Sequence, residues 1–155
     1  MNIIERHLPH GAQKNNPKLI VIHAMGEYIN DPEPTLAVDF LDKLGLSAHA
    51  LIMPYGDVMM CRRPEQGAYH ARGFNTDSLG IEFLVEGDHD YGSFISEIKT
   101  NYIKKEQWEA GVELVKHWKS VYNITEVKRH SDISPGRKVD PGRGFKWEKF
   151  LQETI

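Results

Sequence analysis

The chain has 155 residues, with 19 Lys and Arg against 22 Asp and Glu, eight His and a single Cys. A formal charge of −3 excludes the strong positive field expected of a nucleic-acid or anionic-membrane binder. One Cys excludes an internal disulfide framework and any Cys-rich zinc site, so a bound metal would need His and carboxylate ligands.

The length suits one domain spanning residues 1–155, large enough to bury a core without cross-links. No apolar run approaches the ~18 residues of a membrane span. Met1 to Gly11 carries Glu5, His7, Pro9 and His10, where a signal peptide would need an apolar centre. The expectation is a soluble product made in the cytoplasm.

Leu19-Ile20-Val21-Ile22 is a continuous β-branched apolar run, the pattern of a strand buried on both faces, with His23 at its C-terminal end. Asp31-Pro32 predicts an N-cap followed by proline at the first helical position. Leu36, Ala37, Phe40, Leu41 and Leu44 follow at helical spacing, and Gly45 ends the helix. Ala48–Met53 and Val58–Arg62 read as strands joined by the turn Pro54-Tyr55-Gly56-Asp57. Gly67 to Thr76 is a polar loop, and Ser78–Val85 is a strand interrupted by one carboxylate, Glu82. Glu86 to Asn101 reads as a polar surface excursion. A long helix runs from about Lys104 to Tyr122, with an apolar stripe of Trp108, Val112, Val115, Trp118 and Tyr122. Thr125–Arg129 is a short strand leading into His130. Ser131 to Gly144 is irregular, and Phe145–Leu151 closes the chain as a short helix. Strands alternating with helices predict an α/β domain with a mixed sheet and helices on its faces.

Three features carry chemistry. His23 and His130 each follow a strand, a frequent place for functional groups in α/β folds, although either alone is more readily read as a hydrogen-bonded core histidine. In the segment HSDISPGRKVDPG, Pro135-Gly136 turns the chain back toward His130, and Pro141 holds Asp140 extended. Lys138 and Asp140, two apart in an extended segment, then project to one side; an isolated pair of this kind would be a surface ion pair. Glu82 lies with Gly80 and Leu84 on one face of its strand, opposite Leu79, Ile81 and Phe83. Such a carboxylate must be paired, hydrogen-bonded or protonated. Burial would raise its pKa, as a general base working near neutrality requires.

In order, LIVIHAM (Leu19–Met25), SAHALI (Ser47–Ile52), AYHARG (Ala68–Gly73), NTDSLGIEF (Asn75–Phe83) and RHSDISPGRKVDPGRGFKW (Arg129–Trp147) resemble the zinc-dependent type 2 N-acetylmuramoyl-L-alanine amidases. That family includes phage lysozyme-like amidases, anhydro-muropeptide amidases and peptidoglycan recognition proteins. The pieces span most of the chain, and the last is the most specific. The resemblance implies a single α/β domain with a central mixed sheet flanked by helices. It implies one Zn²⁺ per chain held by His23, His130 and Asp140, a ligand set with an open fourth position as in catalytic sites. It also implies Glu82 as proton acceptor and donor, Lys138 as oxyanion stabiliser, and Tyr69, His70, Asn75 and Arg137 as substrate-contacting or site-supporting groups. The reaction would be hydrolysis of the amide between N-acetylmuramic acid and L-alanine in peptidoglycan or muropeptides.

Tyr69 stands where many relatives carry Trp, and Glu86–Asn101 matches no family feature; an inert loop is favoured there over a lip of the substrate site. His49 reads as structural, His117 as lying at a helix boundary, and His7, His10 and His89 as solvated. Trp108, Trp118 and Cys61 read as core. Endolysin-like cell-wall degradation is favoured over cytoplasmic muropeptide recycling. The rival of another class is a catalytically inactive peptidoglycan-binding module. The expected partner is the glycopeptide substrate, with no nucleic acid, no membrane insertion and a monomeric state.

Overall fold

The computed structural model describes all residues, Met1–Ile155. Its frame is a seven-stranded mixed sheet, β1 (Ile3–Glu5), β2 (Leu19–Asn30), β3 (Pro34–Leu36), β4 (Ala50–Ile52), β5 (Val58–Met60), β6 (Ser78–His89) and β7 (Glu126–Arg129). The spatial order is β1-β5-β4-β6-β2-β3, and β7 also pairs with β2. The free side of β2 is therefore shared: Leu19–Ile22 takes β7 in parallel, and Tyr28–Asn30 takes β3 antiparallel. The helices are α1 (Ala37–Lys43), α2 (Tyr91–Glu97), α3 (Lys105–Val121), α4 (His130–Ile133) and α5 (Trp147–Glu153). This is the expected α/β domain with a mixed sheet flanked by helices. No helix is long and apolar enough to cross a membrane.

Strand alternation divides the sheet's side chains into two sets. Ile20, Ile22, Ala24, Ala50, Ile52, Leu79, Ile81, Phe83 and Val85 form one core with Leu114, Val115 and Trp118 of α3 and with Phe145 and Phe150 near α5. Burying each large aliphatic or aromatic side chain contributes roughly 1.5–3 kcal/mol, so this face carries most of the stability. Leu51 and Leu84 face the other way, against Val38 and Leu41 of α1, Leu8 and Cys61. With only seven residues, α1 is about 10 Å long and covers part of that face. His23 and Glu82 emerge on the uncovered part.

Several boundaries differ from the sequence reading. β2 runs through His23 to Asn30, so His23 lies inside the strand and not at its end. The apolar run stops there, but the backbone continues to pair with β6. The helix expected from Asp31-Pro32 begins only at Ala37, because residues 34–36 pair with β2. β1, short and exposed, was not anticipated. On α3 the buried residues are Gln107, Ala110, Gly111, Leu114, Val115 and Trp118, a stripe rotated from the predicted one. Trp108, Val112 and Tyr122 lie at its edges, partly buried. Gly111 explains the rotation: a Cβ there would lie 2.4 Å from Phe83 Cζ, so the helix approaches the sheet on its smallest side chain. Gln107 is accommodated in the core by donating to the carbonyls of Ile52 and Leu84, at 3.0 and 2.8 Å.

The Glu86–Asn101 segment is structured, which corrects the expectation of a loop there. β6 extends to His89, and Asp90 caps α2 by accepting from the Ser93 N–H at 2.8 Å. Phe94 and Ile95 then pack against the main core, where Ile98 is buried.

Candidate metal centre and active site

Strand register assembles the centre. His23 on β2 pairs directly with Glu82 on β6, and Ile22 pairs with Arg129 on β7. His130 follows Arg129 at once, so three neighbouring strands deliver Glu82, His23 and His130 to one place. Asp140 returns through the loop after α4, and its Oδ2 accepts from the Ala24 N–H at 3.2 Å. The Tyr102 hydroxyl anchors the next residue by donating to the Pro141 carbonyl at 2.6 Å.

His23 Nδ1 lies 3.0 Å from His130 Nδ1 and 3.6 Å from Asp140 Oδ2, while His130 Nδ1 is 3.1 Å from Asp140 Oδ1. All three residues are buried, and their potential ligand atoms fall within 4.8 Å of one another. A tetrahedron with bonds of about 2.0–2.1 Å has edges of about 3.3–3.4 Å, which these separations bracket. Two imidazole nitrogens and a carboxylate converging at such distances fit a zinc ion. Glu82 Oε1 is 3.4 Å from His23 Nδ1, beside the group.

Burial controls the protonation states. It lowers the His23 pKa, against the pull of Asp140, so the imidazole stays neutral with a lone pair to offer. Burial pushes Asp140 upward, but the hydrogen bond from His130 and the closeness of His23 outweigh it and hold the carboxyl well below its ordinary value. Glu82 goes the other way: burial first, then the charge of Asp140, raise its pKa well above 4.5, and Lys138 opposes them. Two carboxylates that both approach His23 Nδ1, at 3.4 and 3.6 Å, are thus driven to opposite protonation behaviour, as at acid–base sites.

His23, Glu82, His130, Lys138 and Asp140 line a single cavity of about 520 Å³, together with Tyr69, His70, Asn75 and Arg137. All nine residues singled out from the sequence meet there. Lys138, Arg137 and Tyr69 are solvent-exposed on its rim. Asn75 uses its carboxamide oxygen to accept from the backbone N–H groups of His70 and Ala71, at 3.1 and 2.9 Å, and so holds the loop that carries His70. Both ring nitrogens of His70 face inward, toward His23 and Ser78. Tyr91, Phe94 and Ile95 of α2 form a wall of the cavity, a contribution the polar composition of that segment concealed. Their i, i+3, i+4 spacing was the available signal.

His49 is buried and structural, accepting from the Gly80 N–H and contacting the Gln66 carbonyl. His10 is only partly solvated, since its Nε2 lies 2.7 Å from Asp42 Oδ1. Cys61 is a buried free thiol whose pKa burial pushes up to about 12, which makes it inert.

Residues 13–143 match the family model described as N-acetylmuramoyl-L-alanine amidase. The chain is 29% identical over 179 residues to the 1,6-anhydro-N-acetylmuramyl-L-alanine amidase AmpD of Haemophilus influenzae, covering 94% of this chain and 89% of that one. Its fold is similar to that of the N-acetylmuramoyl-L-alanine amidase LysC from Clostridium intestinale (TM-score 0.75, 23% identity, 99% of this chain and 97% of that one). It is also similar to the endolysin amidase LysCS from Clostridium intestinale (TM-score 0.74, 25% identity, 98% and 94%). The chain belongs to the N-acetylmuramoyl-L-alanine amidase family.

Proposed function

We propose that this chain is a zinc-dependent amidase that cleaves the bond between N-acetylmuramic acid and L-alanine, with His23, His130 and Asp140 holding the metal. The observation that carries this reading is the convergence of those three buried donor groups within 4.8 Å of one another, beside Glu82 at 3.4 Å from His23. Zinc bound there supplies Lewis acidity, which activates water at neutral pH and polarises a carbonyl. Glu82, with its raised pKa, accepts a proton from the attacking water and returns it to the departing amine. Such help is worth ~10²–10⁴-fold. Lys138 on the rim of the same cavity places a cation beside the developing oxyanion, worth ~3 kcal/mol by analogy with one oxyanion-hole donor. Tyr69, Arg137 and Asn75 border the space the glycopeptide would occupy; His70 lies behind the metal group.

Cell-wall peptidoglycan is the proposed substrate, in the manner of the endolysins among its structural neighbours. The supporting feature is that Tyr69, Tyr91 and Val139, which line the cavity, are 44%, 74% and 54% exposed, which leaves aromatic and apolar surface at its mouth free to meet a large substrate. The test measures zinc content and peptide release from purified sacculi and from a soluble anhydro-muropeptide. About one zinc per chain and faster turnover of sacculi are expected. Glu82→Gln should keep the zinc and lose activity ~10²–10⁴-fold. Full activity without metal, or in Glu82→Gln, overturns the catalytic assignment. Preference for the soluble fragment overturns the endolysin reading, and wall binding without turnover marks a binding module.

A further inference from the structure

Behind His23 the hydrogen bonds form a chain with only one possible direction. His23 Nε2 lies 2.9 Å from His70 Nδ1, His70 Nε2 lies 2.9 Å from Ser78 Oγ, and Ser78 Oγ lies 2.5 Å from the Phe74 carbonyl oxygen. A carbonyl can only accept, so the single Ser78 hydroxyl proton points at Phe74. If that proton turned to His70 instead, two oxygen acceptors would face each other at 2.5 Å with nothing between them. Ser78 Oγ must therefore accept from His70, which puts the proton of a neutral His70 on Nε2. His70 Nδ1 is then the acceptor, and the proton of His23 lies on Nε2. What remains on His23 is a bare lone pair at Nδ1, aimed at His130, Glu82 and Asp140.

Packing holds the relay in place. A Cβ at Gly80 would lie 2.4 Å from His70 Nδ1, so the ring occupies space that only glycine leaves open. Gly80 is itself fixed, because its N–H donates to His49 Nδ1 at 3.0 Å. His130 has no such support: its Nε2 is buried with no hydrogen-bond partner.

We infer that His70 and Ser78 are positioning residues, a relay ending on the Phe74 carbonyl that sets the tautomer of His23 and presents its Nδ1 lone pair to the metal group. The inference rests on the proposed metal centre only for its consequence in zinc affinity; the tautomer of His23 is fixed by the hydrogen bonds alone. It assigns His70 a role through His23 and not through substrate. The partner that orients a metal-bound histidine is usually a carboxylate, carbonyl or water; here it is a second imidazole.

The test uses the full chain labelled with ¹⁵N-histidine and stripped of metal at pH 8, with long-range ¹H–¹⁵N correlation spectra reporting the His23 tautomer. Zinc affinity is measured by chelator competition. The wild type should show His23 protonated at Nε2 only. Ser78→Ala and His70→Phe should each give mixed His23 tautomers and weaken zinc 10–100-fold. His70→Gln should restore both readouts, since its carboxamide oxygen accepts from His23 while its nitrogen donates to Ser78. His23 remaining wholly Nε2-protonated in Ser78→Ala, with unchanged zinc affinity, overturns the relay. If His70→Phe fails to fold, the single-hydroxyl deletion still decides. A wild-type chain without zinc affinity would overturn the metal-centre reading, and the tautomer comparison would still judge the relay.

Discussion

Replacing His49 with Gln should flatten the acid limb of the stability curve. The His49 ring is fully buried, with Nδ1 accepting from the Gly80 N–H and Nε2 donating to the Gln66 carbonyl. Burial lowers its pKa from 6.5 to about 4, against the hydrogen bond to Gln66, which works in the opposite sense. A depressed histidine pKa means that the unfolded chain binds the proton more readily than the native one. The native state therefore keeps its full advantage above pH 6.5 and loses it as pH falls toward 4. Over that interval, at ~1.4 kcal/mol per pH unit, the loss is about 3 kcal/mol. Gln can meet the same two backbone groups without titrating. Urea unfolding of metal-free wild type and His49→Gln, measured at half-unit steps from pH 7.5 to 4, isolates this contribution. His23 and His70 are present in both proteins, so the larger part of the difference between the curves belongs to His49. The gap should change by about 3 kcal/mol in favour of the variant as the pH falls. Parallel curves would refute the claim that burial holds this ring neutral.

Three other outcomes follow from the same geometry. Gly111→Ala gains ~1 kcal/mol of helix propensity, but its methyl would lie 2.4 Å from Phe83 Cζ, and Phe145 and Phe150 pen in that ring. Overpacking costs about 1–3 kcal/mol, so the melting temperature should fall by a few degrees, and an increase would show that Phe83 can yield. Lys138→Ala should lower kcat roughly 10²–10³-fold with zinc content unchanged, as measured by steady-state kinetics and metal analysis, because its amine is not among the converging ligand groups. Chelation should destabilise the protein, since zinc at 100 times its Kd stabilises by about 2.7 kcal/mol. For a chain of this size that is a drop of roughly 5–10 °C in a thermal melt, and an unchanged melt would speak against a metal bound by the native state.

Much of the site was legible because its signals are local. Glu82 interrupts an apolar strand, and a carboxylate in that position needs a reason. Lys138 and Asp140 stand two apart before Pro141, and His130 opens the same segment, so turn chemistry already suggested that the three groups meet, while their roles rested on the family resemblance. Apolar runs marked β2 and β6, and helical periodicity marked α3. Their ends and faces were less legible. The continuation of β2 past His23 depends on pairing with β6, and the buried face of α3 depends on the fit of Gly111 against Phe83.

The sequence by itself determined which residue types were available: histidines and carboxylates to hold a metal, one cysteine too buried to matter, and an α/β alternation of elements. Tertiary structure decided how they meet. His23 and Glu82 are neighbours because two parallel strands pair in one register, and a slip of one residue would turn either group to the opposite face. It also decided the direction of the His23–His70–Ser78 chain and brought α2 to the cavity wall. Most of these contacts join residues far apart in the chain, set by register and close packing, and no local pattern of hydrophobicity or turn residues encodes them.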